Sequence, residues 1–158
     1  MEGLYYEHQV GSYCRKHSIN NLIGREIVTI AEFDTLCDDF DKINEFTEMC
    51  SRGKHMYYNY GGQRNIFGFV LAKKGIDVSI TGYDNWRKED IDLTTDREDL
   101  LGAFVFKDGH VWCIRCYKDK LYSIDSMGGT QHINESYFKN KQLCFLVVHR
   151  NIKFFYNK

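Results

Sequence analysis

A chain of 158 residues, 43% hydrophobic and 15% aromatic, can bury one good core and is short for two, so a single domain over residues 1–158 is expected. With 21 basic against 22 acidic side chains the net charge is −1, which excludes a field able to gather nucleic acid. No apolar run nears the roughly 20 residues that span a bilayer, and the opening Met-Glu-Gly-Leu-Tyr-Tyr-Glu has neither the basic nor the apolar region of a signal peptide.

The expectation is a soluble intracellular protein, cytoplasmic or nuclear, with no membrane or nucleic-acid partner. Six cysteines, at 14, 37, 50, 113, 116 and 144, would then stay reduced instead of forming three disulfides. Proline is absent, and Lys, Asn, Ile, Tyr and Phe are frequent. That bias is common to AT-rich genomes, among them viruses, protists and intracellular bacteria; a pathogen source would make the host cell the place of action.

In chain order, Ser12 is expected to cap a helix that begins at Tyr13, carries Ile19, Leu22 and Ile23 on one face and ends at Gly24. Thr29-Ile-Ala-Glu32 has the form of a capping box. Phe33, Leu36, Phe40, Ile43 and Met49 follow at three- and four-residue steps, which predicts a helix or helix pair over about 30–50. After a Gly- and Tyr-rich stretch, Ile66, Phe67, Val70 and Leu71 predict a third helix closed by Gly75. The period then changes to two. Ile76, Val78 and Ile80 alternate, and Gly102–Phe106, His110–Tyr117, Lys120–Asp125 and Leu143–His149 read as further strands. Helices followed by mainly antiparallel sheet make an α+β fold, and no repeat or linker divides it.

Cys14 falls in the first turn of the capped helix, where open backbone N–H groups and the helix dipole favour a thiolate, with Arg15 and Lys16 next to it. Position alone leaves it equally readable as a small buried hydrophobe. His110 follows the turn-like Lys107-Asp108-Gly109 and opens a strand that returns through Lys118-Asp119. If those two residues form the loop, Tyr117 pairs with Lys120 and Asp125 falls opposite Trp112. Asp125 is then diagonal to His110 on one face, where a carboxylate can orient the imidazole. Without a nucleophile nearby, such a His-Asp pair is ordinarily structural. Gln9, five residues before Cys14, offers a side-chain N–H₂ to an oxyanion, or is simply solvated.

Residues 2–22, EGLYYEHQVGSYCRKHSINNL, resemble the opening of a Josephin domain, with Glu7, Gln9, Gly11, Ser12, Cys14, His17, Asn20, Asn21 and Leu22 in register. The stretch from Gly62 to Ile76 and the segments Gly109–Arg115 and Leu121–Ser126 are similar more loosely. The resemblance implies a papain-like cysteine-protease fold, a Cys-His-Asn/Asp triad with a glutamine oxyanion donor, and hydrolysis after the C-terminal glycine of ubiquitin. On this sequence those catalytic roles map to Cys14, His110, Asp125 and Gln9, with ubiquitin or its conjugates as partner and no cofactor or metal. Asp125 stands where the family usually has Asn. Trp112 is one position later than the family's tryptophan, so no channel role carries over to it. Residues 25–62 match poorly and look shorter than the helical arm of longer Josephin domains.

Other signals favour bland readings. His17 has no evident orienting partner and reads as a packing residue. Cys113 and Cys116 have CxxC spacing, but residues three apart in a strand face opposite ways, so neither zinc nor a redox disulfide is expected. His8, His55, His132 and His149 fall in loops or near sheet ends, and the acids between 32 and 48 read as the solvated side of an amphipathic helix. Two alternatives remain open at this point: a pseudoenzyme that binds ubiquitin without cutting it, and a papain-like acyl-transfer enzyme with another substrate.

Overall fold

A computed structural model of the chain describes residues 3–43, 60–83, 99–138 and 143–151. Three helices, α1 (Cys14–Ile23), α2 (Ile30–Ile43) and α3 (Tyr60–Lys73), precede strands β1 (Val78–Tyr83), β2 (Leu100–Lys107), β3 (His110–Tyr117), β4 (Lys120–Asp125) and β5 (Gly129–Ile133). A 3₁₀ turn at Glu135–Phe138 leads to β6 (Cys144–Arg150). The strands form one antiparallel sheet in the order β1-β6-β2-β3-β4-β5.

Helix α1 lies mainly across β3 and is buried on nearly every side, polar residues included. Asn20 and Ser18 are matched to partners, as the cost of burying an unpaired polar group demands, whereas Asn21 Nδ2 is buried without one among the described residues. The Asn20 amide donates to Val28 O at 2.9 Å and its oxygen accepts from the N–H of Ile27 and Val28. Ser18 Oγ donates to Val111 O at 3.1 Å, which ties the helix to β3. Gly24 ends the helix in the left-handed conformation, with φ +92° and its N–H on Asn20 O.

The capping box forms: Thr29 N–H donates to Glu32 Oε1 at 3.0 Å and Glu32 N–H to Thr29 Oγ1 at 3.1 Å. In α2 the buried residues are Phe33, Cys37 and Phe40, whereas Ile43, expected on the apolar face, is 69% exposed. The part of the expected 30–50 helical segment beyond Ile43, including Met49, lies outside the described residues, as do Cys50 and His55. Helix α3 closes in a Schellman motif, with Ile76 N–H on Leu71 O and Gly75 N–H on Ala72 O. Ile76, expected to start a strand, therefore belongs to the helix cap, and β1 begins at Val78.

Two apolar clusters sandwich the sheet. One joins Ile19, Leu22, Phe33, Phe67 and Val70 of the helices to Phe104, Val111 and Cys113. The other gathers Ala103, Val105 and Ile114 with Ile133, Phe138 and Leu143. Cys113 belongs to the first and Cys116 packs against the second, as the strand period requires. None of the five described cysteines is in a disulfide.

Gly102 sits where the β2–β6 register shifts, with φ +144°, and a Cβ there would lie 1.8 Å from Ile114 O. Gly102→Ala is expected to destabilise the fold by about 3 kcal/mol or more, because the sheet backbone itself must move. Gly75→Ala, at φ +79° with nothing within 4 Å of the added carbon, should cost only the left-handed penalty of about 1–2 kcal/mol. Urea unfolding of the two variants measures the difference; equal losses would contradict it.

Candidate active site

Cys14 is the first residue of α1, one residue later than the expected helix start, and no side chain caps the helix. Tyr13 takes the N-cap position, and its hydroxyl donates to Asp34 Oδ2 of α2 at 2.8 Å. Ser12 is exposed at the rim of a cleft and does not cap. With no side-chain oxygen on them, the first-turn N–H groups remain able to favour a negative charge at the sulfur. Burial pushes the Cys14 thiol up. The His110 hydrogen bond, the Val111 N–H and the charges of His110 and Arg15 outweigh that and hold it below the ordinary thiol range.

His110 opens β3 directly after the two-residue turn Asp108-Gly109, whose φ values of 51° and 79° suit a tight hairpin. The next hairpin pairs Tyr117 with Lys120 and Cys113 with Ile124, so the register continues to set Asp125 opposite Trp112. The His110 Nε2 and Asp125 Oδ1 atoms are 2.8 Å apart. That contact leaves Nδ1 for the Cys14 sulfur, with which His110 is also hydrogen-bonded. The Asp125 bond, reinforced by Cys14, raises the His110 pKa to about 9 against the opposing effect of burial. Burial would raise the Asp125 carboxyl, but the bonds from His110 and from the Met127 and Gly128 N–H groups hold it below its usual range. Trp112 stacks on the His110 ring at 5.8 Å between centroids and donates from Nε1 to Tyr137 Oη at 3.0 Å. The indole thus braces the imidazole, a contact that the shifted tryptophan position had left unassigned.

Gln9 lines the same cleft as Cys14 and His110, together with Ser12, Asp108, Gly109 and Met127. Its backbone N–H donates to Ser126 O at 2.8 Å. Its side-chain oxygen accepts from Ser126 Oγ at 2.9 Å, and its Nε2 donates to Gly11 O at 2.9 Å. The cleft encloses about 670 Å³, room for an extended peptide tail.

Behind the sulfur, Glu7 joins the incoming chain to α1. Its Oε1 lies 2.8 Å from Lys16 Nζ and 2.7 Å from His17 Nδ1, its Oε2 accepts from Tyr5 Oη, and its N–H donates to Asn21 Oδ1. His17 therefore does have a carboxylate partner, and its Nε2 accepts from Val10 N–H at 3.1 Å. Both ring nitrogens are occupied holding residues 7–10 against the helix. Sequence reasoning missed this because the partners lie ten and seven residues away in a segment with no regular period. Burial would raise the Glu7 carboxyl; the hydrogen bonds from Lys16, Tyr5 and His17 reverse that and lower it.

The Josephin family model matches residues 9–146, a span that contains all four candidate residues. The chain belongs to the Josephin family. Members of this family are in general cysteine-protease-like deubiquitinases that bind ubiquitin, and the three helices and six-stranded antiparallel sheet make up the family's α+β papain-like fold. No curated protein matches the sequence.

Lys16 is 6% exposed at its side chain and Glu7 9%, so removing the acid leaves a buried ammonium with only the longer, 3.9 Å contact to the more exposed Glu26. Glu7→Ala is expected to destabilise the domain by about 3–5 kcal/mol in chemical unfolding. The Glu7 carboxyl has a lowered pKa when folded. Its contribution is therefore present above the ordinary carboxylate range and is lost as pH falls through the folded value. Acid should accordingly destabilise Glu7→Gln less steeply than wild type.

Proposed function

We propose that this chain is a thiol-dependent deubiquitinase that hydrolyses peptide or isopeptide bonds after the C-terminal glycine of ubiquitin. Cys14 is its nucleophile, His110 its acid and base, Asp125 the group that orients His110, and Gln9 the oxyanion donor. The observation that carries the proposal is the continuous hydrogen-bonded line from Cys14 through His110 to Asp125, which opens on a cleft that Gln9 also lines. A lowered thiol beside a raised imidazole favours the thiolate–imidazolium pair near neutrality.

In the forward step the Cys14 sulfur bonds to the glycine carbonyl carbon, and the carbonyl oxygen takes the negative charge facing the Gln9 amide and the Cys14 N–H. The imidazolium gives its proton to the departing lysine or peptide amine as the C–N bond breaks, leaving a thioester. Water then loses a proton to His110, attacks the thioester and frees the ubiquitin carboxylate and the thiol. Asp125 stays ionised and keeps the ring in the orientation that serves both transfers.

Ubiquitin carrying a C-terminal electrophile tests the assignment. Wild type is expected to form one covalent adduct, on Cys14, and Cys14→Ala none. His110→Ala should slow adduct formation or turnover by about 10²–10⁴. Absence of an adduct with wild type, or its persistence in Cys14→Ala, would overturn the proposal.

A further inference from the structure

One short turn holds both halves of the site. Asp125 ends β4 and bonds His110. The next residue, Ser126, is 1% exposed and is bonded to Gln9 through both backbone and side chain. Its carbonyl also accepts from Tyr6 Oη at 3.0 Å, which fastens the incoming chain to the same point.

The bonds around Gln9 fix which way its carboxamide faces. Gly11 O is a carbonyl and only accepts, so the carboxamide atom 2.9 Å away must be Nε2. Oε1 then faces Ser126, whose hydroxyl must donate to it. Nε2 carries two hydrogens, and only one is used by Gly11. The second stays available to the cleft shared with Cys14. The terminal torsion of glutamine is broad and roughly twofold, so a carboxamide held by the Gly11 carbonyl alone can exchange that bond for solvent and turn its oxygen toward the cleft, where it repels a developing oxyanion.

Resting on the hydrolase reading above, we propose that Ser126 is a positioning residue for oxyanion stabilisation: its buried hydroxyl holds Gln9 so that an N–H, not the oxygen, faces the reacting carbonyl. Ser126 itself touches no reacting atom. The β4–β5 turn thereby sets the proton-transfer partner through residue 125 and the oxyanion donor through residue 126.

The test uses a peptidyl Gly-Gly aldehyde, which requires an oxyanion site but no recognition of folded ubiquitin. The Cys14 sulfur adds to the aldehyde carbon, the C=O π bond breaks, and the oxygen takes the charge while His110 keeps its proton, giving a hemithioacetal oxyanion that faces the Gln9 amide. Affinity is read as protection of Cys14 from iodoacetamide. Alkylation alone, in which sulfur displaces iodide, reports the thiolate without any oxyanion. Ser126→Ala is expected to weaken the aldehyde about tenfold while leaving the alkylation rate within about twofold. In a Gln9→Ala background the same substitution should add nothing. The proposal is overturned by unchanged aldehyde affinity in Ser126→Ala, by an equal loss in the Gln9→Ala background, or by a parallel fall in alkylation that marks general damage. It also fails if wild type binds the aldehyde no better than Gln9→Ala. None of these readouts depends on ubiquitin, so a failed ubiquitin assay leaves the result interpretable.

Discussion

The 2.8 Å contact between His110 and Asp125 depends on the β3–β4 hairpin turning on two residues and no other number. Strand side chains alternate, so a slip of one residue would send Asp125 to the opposite face and leave the imidazole without its acid. The turn that enforces this register is made by Lys118 and Asp119 at φ 50° and 64°, with no glycine to ease the left-handed conformation. Packing of α1 on β3, fastened by Ser18 to Val111, brings the sulfur to that pair. Everything chemical at the site follows from these two placements, one within the sheet and one between sheet and helix.

Electrostatics then acts on a geometry already set. Desolvation acts to raise the Cys14 thiol and the Asp125 carboxyl and to lower the His110 imidazole. The hydrogen bonds reverse all three tendencies together, because each charge is compensated by the next along the line. An aspartate at the third position strengthens this effect relative to a neutral amide, since it adds a full charge to the bond that orients the ring.

Much of this was legible in the sequence where local periodicity carries the signal. Helix α1 and its Gly24 stop, the Thr29–Glu32 box, and strands β3 and β4 with their register could be read from residue order, and so could the pairing of His110 with Asp125. Local pattern failed where structure is set by distant contacts. Strand β5, Gly129–Ile133, has a single buried apolar residue and sits at the sheet edge, so it shows no alternation. Ser12 looked like a cap by composition, yet the helix begins at Cys14 without one. The Glu7 hub and the Ser126–Gln9 bond join residues up to 117 apart or lie in chain without a period. The Josephin pattern nonetheless marked Glu7, Gln9, His17 and Asn21 together; Glu7 bonds His17 and Asn21 of α1, and Gln9 bonds Ser126 next to Asp125.

The most direct measurement is the pH dependence of Cys14 alkylation by iodoacetamide, followed by mass spectrometry of the Cys14 peptide, in wild type and His110→Ala. With the imidazolium in place the rise in rate should lie below the ordinary thiol range, with any further change where His110 loses its proton near pH 9. Without the ring, the rise should move up to or beyond the ordinary thiol range near 8.5. Superimposable profiles in the two proteins would show that His110 does not hold the sulfur ionised, and would contradict the site as described.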